Sequence, residues 1–114
     1  MPDVPPEVIE YQNLQQQLQL VMMQKQQMLI QKKELEKALE EVNASAGPFY
    51  RFVGTVLVAK EKESLQKELS SEKDELGMRI PLLERQEKKF KERFDVVRKK
   101  VEEFVREQQG VAGG

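Results

Sequence analysis

The side chains that could do chemistry in this sequence are carboxylates and amines, because it contains neither histidine nor cysteine. It therefore lacks the side chains that most often serve as general base, reactive thiol or soft metal ligand. Its carboxylates alternate with lysines and arginines, as in residues 87–93, a pattern typical of a solvated helix face. No glycine-rich phosphate loop is present. We expect neither an enzyme nor a cofactor or metal site.

Residues 49–58 indicate a different chemistry, noncovalent association. Aromatic and β-branched residues stand on both sides of Gly54, which predicts two strands joined by a tight turn at Gly54 and Thr55. Two strands alone are marginal in water, and their edges are unpaired. We therefore expect hairpins from several chains to join in a shared sheet or barrel. The residues predicted to form this interface are Phe49, Tyr50, Phe52, Val53, Gly54, Val56, Leu57 and Val58.

The alternative for this segment is a monomeric pair of helices with a disordered loop. Such a loop would not require phenylalanine, tyrosine, valine and leucine, so the pattern favours the interface.

Two long segments with seven-residue apolar repeats flank the hairpin. This is the period of a coiled coil. Because a hairpin reverses the chain, the two helices should lie antiparallel. The predicted fold class is mainly α, an antiparallel two-helix coiled coil whose helices are joined by a single β-hairpin. The repeats are Leu14, Val21, Met28, Leu35 and Val42, then Leu69, Leu76, Leu83, Phe90, Val97 and Phe104.

We predict one domain, residues 1–114, in which residues that start or end helices indicate the element bounds. The first helix contains nine glutamines between residues 12 and 31, which would suit a disordered tract, but Leu14, Leu18 and Val21 interrupt them at helical spacing and favour a helix. Pro81 predicts a bend in the second helix, because it removes a backbone hydrogen bond. The bounds are a helix at about 6–43, the hairpin at about 49–59, a helix at about 61–108 and a flexible glycine-containing tail at 109–114.

The repeats also predict a register in which paired residue numbers sum to about 104. Two lysines, Lys25 and Lys32, occupy seam positions of the first helix. Lys32 then falls opposite Glu72, which would offset its burial; alternatively its ammonium group reaches past the seam into solvent. The apolar pairs are Leu39 with Leu65, Leu35 with Leu69, Met28 with Leu76, Val21 with Leu83 and Leu14 with Phe90.

The end of the second helix carries apolar residues for which this register supplies little cover. Only the proline-containing N-terminal segment is available to lie against residues 101–105. Uncovered apolar groups could bind short apolar segments of a non-native polypeptide, or they could simply finish the coiled coil; the residues leave both open. The candidate tip residues are Val4, Val8, Ile9, Val97, Val101, Phe104 and Val105.

Charge and hydropathy argue against nucleic-acid and membrane partners. Nineteen basic and twenty acidic residues give a net charge of -1, which offers no field to attract nucleic acid or anionic lipid. No segment approaches the ~18 apolar residues of a membrane span, and the first residues lack a signal peptide's basic and apolar regions. We expect a soluble, cytoplasmic protein.

The hairpin and both flanking segments resemble one known family. Residues 50–58 resemble the hairpin of prefoldin β subunits, with its pattern Tyr-basic-apolar-Val-Gly-x-Val-Leu-Val. Residues 14–19 and 24–27 resemble that family's glutamine-rich first helix, and residues 79–80 and 83–87 resemble its second.

The similarity extends from about residue 8 to residue 105, and the single hairpin and short tails are those of the archaeal β type. Pro81 departs from the pattern, since a helix-forming residue is expected there. The resemblance implies a hexamer of two α and four β subunits, with an intersubunit β-barrel that carries six coiled-coil tentacles.

The resemblance further implies an ATP-independent holdase that captures unfolded proteins at the coiled-coil tips. It would pass them to a group II chaperonin, which its charged distal ends would contact. The alternative is a structural coiled-coil adaptor that binds one defined protein partner. Suppression of aggregation of unrelated denatured proteins would distinguish the holdase from the adaptor.

Overall fold

The computed structural model describes residues 4–113, and the side chains of residues 4–110. Two long helices flank a two-stranded antiparallel hairpin, which confirms the predicted mainly α architecture. The elements are α1 Pro6–Ala44, β1 Phe49–Val53, β2 Val56–Lys60 and α2 Lys62–Gly113.

Helix α1 begins where its prolines predict. Pro6 is its first residue, a position where the missing N–H has no helical partner, and Glu7 complements the positive end of the helix dipole. At the other end Gly47 has a φ of 94°, a left-handed conformation that glycine adopts readily. The chain therefore leaves the helix just before β1.

Helix α2 is longer than the sequence predicts. It continues to Gly113, through most of the segment predicted to be a flexible tail at 109–114; Gly114 lies outside the described residues. A glycine in a helix costs only about 1 kcal/mol relative to alanine, and residues 82–113 contain no proline to stop the helix. Pro81 lies inside α2, which continues on both sides of it. The bend at Pro81 stays a prediction.

The hairpin has the predicted turn. Val53 pairs with Val56, so Gly54 and Thr55 form a two-residue connection. Gly54 has a φ of 64°, which explains why glycine stands there.

The chain divides into two compact units. The hairpin unit comprises Gln26–Pro81, and the terminal unit comprises Met1–Lys25 with Leu82–Gly114. In the hairpin unit a core forms where the helices meet the hairpin, and it includes the predicted pairs of Leu39 with Leu65 and Leu35 with Leu69. Its buried members are Val42, Leu65 and Leu69, with Leu35, Ala38, Leu39 and Phe49 packed against them.

In the terminal unit the contacts follow the predicted antiparallel register. The rings of Tyr11 and Phe94 stack with centroids 4.9 Å apart. Arg93 donates to both carboxylate oxygens of Glu10, over 2.6 and 3.0 Å. These pairs have residue numbers that sum to 105 and 103, on either side of the predicted 104. The buried side chains are Leu14, Leu18, Val21 and Val97, together with Glu87.

Glu87 is a charged residue at a seam position of α2, and it is 9% exposed. Lys25, on α1, donates to its Oε1 over 3.1 Å, and Lys91 reaches the same oxygen at 3.5 Å. Side chains on a helix lean toward its N-terminus, so those of Lys25 and Glu87 lean toward each other in an antiparallel pair. The hydrogen bond from Lys25 is the main reason that the pKa of Glu87 lies below its ordinary value, against a smaller opposing effect of burial.

The second seam lysine behaves differently. In the hairpin unit Glu72 binds Arg51 of β1 rather than Lys32. Among the described residues Lys32 makes no ion pair, which agrees with the alternative that its ammonium group reaches solvent.

Over residues 4–113, neither helix contains a stretch apolar enough to cross a membrane.

The core of the hairpin unit makes a first prediction. Leu69→Ala should lower the free energy of unfolding by about 2–5 kcal/mol, because it leaves a cavity among buried side chains. Leu29→Ala is the matched control, since Leu29 belongs to the same unit but is exposed; its cost should be about 1 kcal/mol or less. Denaturant unfolding followed by circular dichroism, at one protomer concentration, measures both. Equal costs would contradict the assigned core.

The seam carboxylate makes a second prediction, on pH. Because the pKa of Glu87 is lowered from its ordinary value of 4.5, its ion pair stabilises the folded chain above that pH and the stabilisation is lost as pH falls through the lower folded pKa. Glu87→Gln should thus be less stable than the parent at about pH 7, and the difference in stability should disappear below about pH 4.5. The melting temperatures of variant and parent, measured at a series of pH values, give this difference.

The control for this series is Glu84→Gln, which changes an exposed carboxylate on the same helix. The melting temperatures of Glu84→Gln and the parent should stay nearly equal at every pH. The pKa values of Glu10 and Glu68 are also lowered, by Arg93 and by Lys60, but both residues are present in parent and variants, so their effects on stability cancel in the comparison. A difference for Glu87→Gln that widens toward acid would contradict the assignment.

Candidate assembly and client-binding surfaces

The two faces of the hairpin have different surroundings. On one face Phe49 and Arg51 are half-buried against the helices of their own chain. On the other face Tyr50 and the cross-strand pair Phe52 and Leu57 are exposed. The alternation follows from strand geometry, in which successive side chains point to opposite faces.

Ion pairs hold the hairpin against α2. Arg51 donates from Nη2 to both oxygens of Glu72, at 2.7 and 2.6 Å, and from Nη1 to Glu68 at 3.0 Å. Lys60, at the end of β2, donates to the other oxygen of Glu68 over 2.7 Å. Both strands are therefore tied to one turn of α2, since Glu68 and Glu72 are four residues apart. We call Arg51, Lys60, Glu68 and Glu72 the hairpin clamp.

The charges of the hairpin clamp reinforce one another. The hydrogen bond from Lys60, followed by that from Arg51, holds the pKa of the Glu68 carboxyl below its ordinary value. Glu72, more than Glu68, raises the pKa of the Arg51 guanidinium. Both shifts favour the charged forms of Glu68 and Arg51, and the ion pairs hold one face of the hairpin toward α2.

Most of the predicted interface residues are exposed, and three of them, Tyr50, Phe52 and Leu57, form the outward face. Phe52 is 70% exposed, an unusual position for a phenylalanine. Exposed apolar groups of this size, adjacent to unpaired strand edges, are typical of a surface that another chain covers. The exposed members are Tyr50, Phe52, Val53, Val56, Leu57 and Val58, with Gly54 in the turn between them.

Phe49 requires a correction. The sequence predicts it in the interface, but the structure packs it against Val42, Leu65 and Leu69. It shares the helix-facing side of β1 with Arg51, so it belongs to the core of its own chain.

The predicted tip residues fall into two groups, one buried residue and several with accessible surface. Val97 is 0% exposed, so it is a core residue of the terminal unit and offers no surface to a ligand. The physical reason is that α1 begins at Pro6, so its first turn reaches the level of Val97 in the observed register. Val97 therefore leaves the candidate set.

The remaining tip residues keep some accessible surface. Val4 and Ile9 on the N-terminal side and Val105 on α2 are exposed, whereas Val8, Val101 and Phe104 are half-buried. Val101 and Val105 lie in a shallow depression of α2 that also includes Glu102, Arg106 and Gln109. The surface is apolar in its centre and charged at its rim, which suits a short apolar segment.

The sequence reasoning missed the hairpin clamp. A signal was available, because Glu68 and Glu72 are spaced i, i+4 and so lie on one face of α2, while Arg51 and Lys60 flank the hairpin. No covalent chemistry is assigned to these groups. In the part of the chain that the structure describes, no cluster of three histidine, cysteine, aspartate or glutamate residues is arranged to hold a metal ion.

Comparisons with known proteins agree on one family. The family model described as "Prefoldin subunit" matches residues 7–108. The chain is 38% identical to the prefoldin subunit beta of Archaeoglobus fulgidus, over 96% of this chain and 100% of that protein. It is 36% identical to that of Thermococcus onnurineus, over 93% of this chain and 97% of that protein.

A solved structure gives the same result. The crystal structure of the prefoldin beta subunit from Thermococcus strain KS-1 superimposes with a TM-score of 0.74 at 33% identity, covering 93% of this chain and 98% of that one. The predicted resemblance is thereby confirmed. The chain belongs to the prefoldin subunit family, and the relatives it matches are archaeal β subunits.

Proposed function

We propose that this chain is the β subunit of a prefoldin hexamer of two α and four β subunits, in which the hairpins join in an intersubunit β-barrel. The observation that carries the proposal is the outward hairpin face, with large apolar side chains exposed beside unpaired strand edges. Membership of the prefoldin subunit family makes other prefoldin subunits the partners of choice. Strand pairing between chains would satisfy the open edges, and burial of the apolar face would supply the main stabilisation.

The activity we propose is that of a holdase without ATP. Unfolded polypeptides would bind at the tip, where Val4, Ile9 and Val105 are exposed and Val101 and Phe104 are partly so. Apolar burial is nondirectional, so such a surface accepts many sequences. The bound polypeptide would then be released to a group II chaperonin in the cytoplasm.

If the hairpins join through the outward face, charged residues placed on that face should disrupt the oligomer. In the variant Phe52→Glu with Leu57→Lys, the new charges lie opposite each other across the strands and should attract, so the hairpin itself should persist. Burial of the charges between chains should be unfavourable, and the oligomer should dissociate. Native mass spectrometry of the chain, alone and with an archaeal prefoldin α subunit, measures the change.

The control for assembly is Val96→Glu, which places one charge at an exposed valine of α2 in the terminal unit. It should leave the oligomer mass as in the parent. An unaltered mass for the Phe52→Glu, Leu57→Lys variant would place the interface elsewhere.

The client-binding part predicts loss of protection without loss of assembly. Val101, Phe104 and Val105 changed together to serine should reduce protection of a denatured test protein, because the apolar area at the end of α2 is removed. Light scattering during aggregation of that protein, at equal oligomer concentration, is the measurement.

Val105→Ser and Val96→Ser form a matched pair within this experiment, since the two valines are 45% and 47% exposed on the same helix. Only the first should weaken protection. Full protection by the triple variant would move the client site away from the tip, and protection of one specific protein alone would favour the adaptor.

A further inference from the structure

One stretch of α1 in the terminal unit is long, exposed and free of charge. Residues 12–24 contain no aspartate, glutamate, lysine or arginine. Lys25, the next ionisable residue, is engaged by Glu87 at the seam. On α2 of the same unit, twelve of the seventeen residues from 84 to 100 are charged. In the terminal unit, a long uncharged stretch of α1 therefore contrasts with a highly charged α2.

The exposed residues of this stretch belong to two chemical kinds. Six are glutamines and one is asparagine, and in the described part of the chain none of these side-chain amides donates or accepts a hydrogen bond within the protein. The other three are the apolar residues Leu20, Met22 and Met23. Five of these ten positions lie on the side of the helix opposite the seam, within about 100° of one another at helical spacing. We call these five the amide face, and they are Gln12, Gln16, Gln19, Leu20 and Met23.

A purely solvated helix face does not account for this composition. Solvated faces normally carry charges of both signs, as α2 does, whereas this stretch carries none and exposes three large apolar side chains within four positions. The seam is already filled by Leu14, Leu18 and Val21, so the amide face is not needed for the core of the unit. A surface with unpaired amides beside flexible apolar groups is suited to a ligand that presents the same two kinds of group.

We infer that the amide face binds extended segments of non-native polypeptide, with its amides on the ligand's backbone and Leu20 and Met23 against the ligand's side chains. An unfolded segment presents unpaired N–H and C=O groups at every residue. A glutamine amide offers two donors and an acceptor, so it satisfies either group whatever the sequence. Methionine adapts its shape to different side chains.

Other occupants fit this surface less well. A helical partner already has its backbone groups paired and would leave the amides unused. Nucleic acid requires cations, which residues 12–24 do not supply. The lack of charge has a positive role, because neither acidic nor basic segments would be repelled. The inference rests on the proposed holdase function and adds to it a second contact surface with its own recognition chemistry.

The test compares one substitution at two places. Gln16 and Gln86 are exposed glutamines on the two helices of the terminal unit. Gln16→Glu and Gln16→Lys should each weaken protection of denatured clients, by about fivefold in the chaperone concentration required, because a hydrogen-bonding amide is replaced by a strongly hydrated charge. Gln86→Glu and Gln86→Lys should protect like the parent.

Clients of acidic, neutral and basic net charge separate amide recognition from simple electrostatics. Under the inference, both Gln16 variants lose protection toward all three clients. Opposite changes with acidic and basic clients would overturn it in favour of a charge effect. Native mass spectrometry and circular dichroism confirm that each variant assembles and stays helical.

A direct contact measurement completes the test. A photoreactive amino acid at position 16 should cross-link to a bound unfolded client, whereas the same group at position 86 should not. Full protection by both Gln16 variants, or equal cross-linking from both positions, would overturn the inference while leaving the holdase intact. Failure of the parent assembly to protect any client would instead refute the proposed function, and the inference with it.

Discussion

The packing of one helical stripe against another is the interaction on which the rest of this protein depends. In each unit the two helices pack along one apolar stripe, so each helix buries one side and leaves the other open. Val97 in the terminal unit, and Leu65 and Leu69 in the hairpin unit, are buried in these stripes. Every other apolar group, on the hairpin or on the outer side of a helix, must either meet a partner or remain in water. The apolar groups that the core leaves exposed are therefore the candidate binding surfaces.

A polar pair within an apolar seam adds specificity to this packing. A buried carboxylate costs free energy unless it is hydrogen-bonded to an opposite charge, and Lys25 supplies that partner to Glu87. Only Oε1 is satisfied by protein groups among the described residues, because Oε2 is buried without a partner. A leucine at position 87 would fill the seam as well, but it would not distinguish one alignment of the helices from another.

Much of the fold and part of the candidate site could be predicted from the sequence. The heptad repeat indicates which side of each helix is buried, and the observed stacking of Tyr11 on Phe94 lies within one residue of the predicted antiparallel alignment. The glycine between two β-branched strands specified the turn at Gly54, because few other residues adopt its positive φ.

The misses have a common physical origin, which is that contacts between different elements leave little trace in a periodic pattern. Phe49 and Phe52 have the same chemistry in the sequence, yet one enters the core and the other faces solvent. Glu72 could serve Lys32 or Arg51 equally well by charge, and the position of the hairpin decides for Arg51. Burial of Val97 requires cover from the first turn of α1, a contact between elements that the repeat of α2 alone does not show.

The hairpin clamp has a kinetic and entropic consequence for association. A free two-stranded ribbon would sample many orientations, and ordering them on encounter would oppose binding. Arg51 and Lys60 remove that freedom in advance, since each strand is tethered to the same turn of α2. In the assembly proposed above, each subunit would therefore present a hairpin whose outward side is already selected. Association would then need to align two preformed hairpins instead of first ordering them.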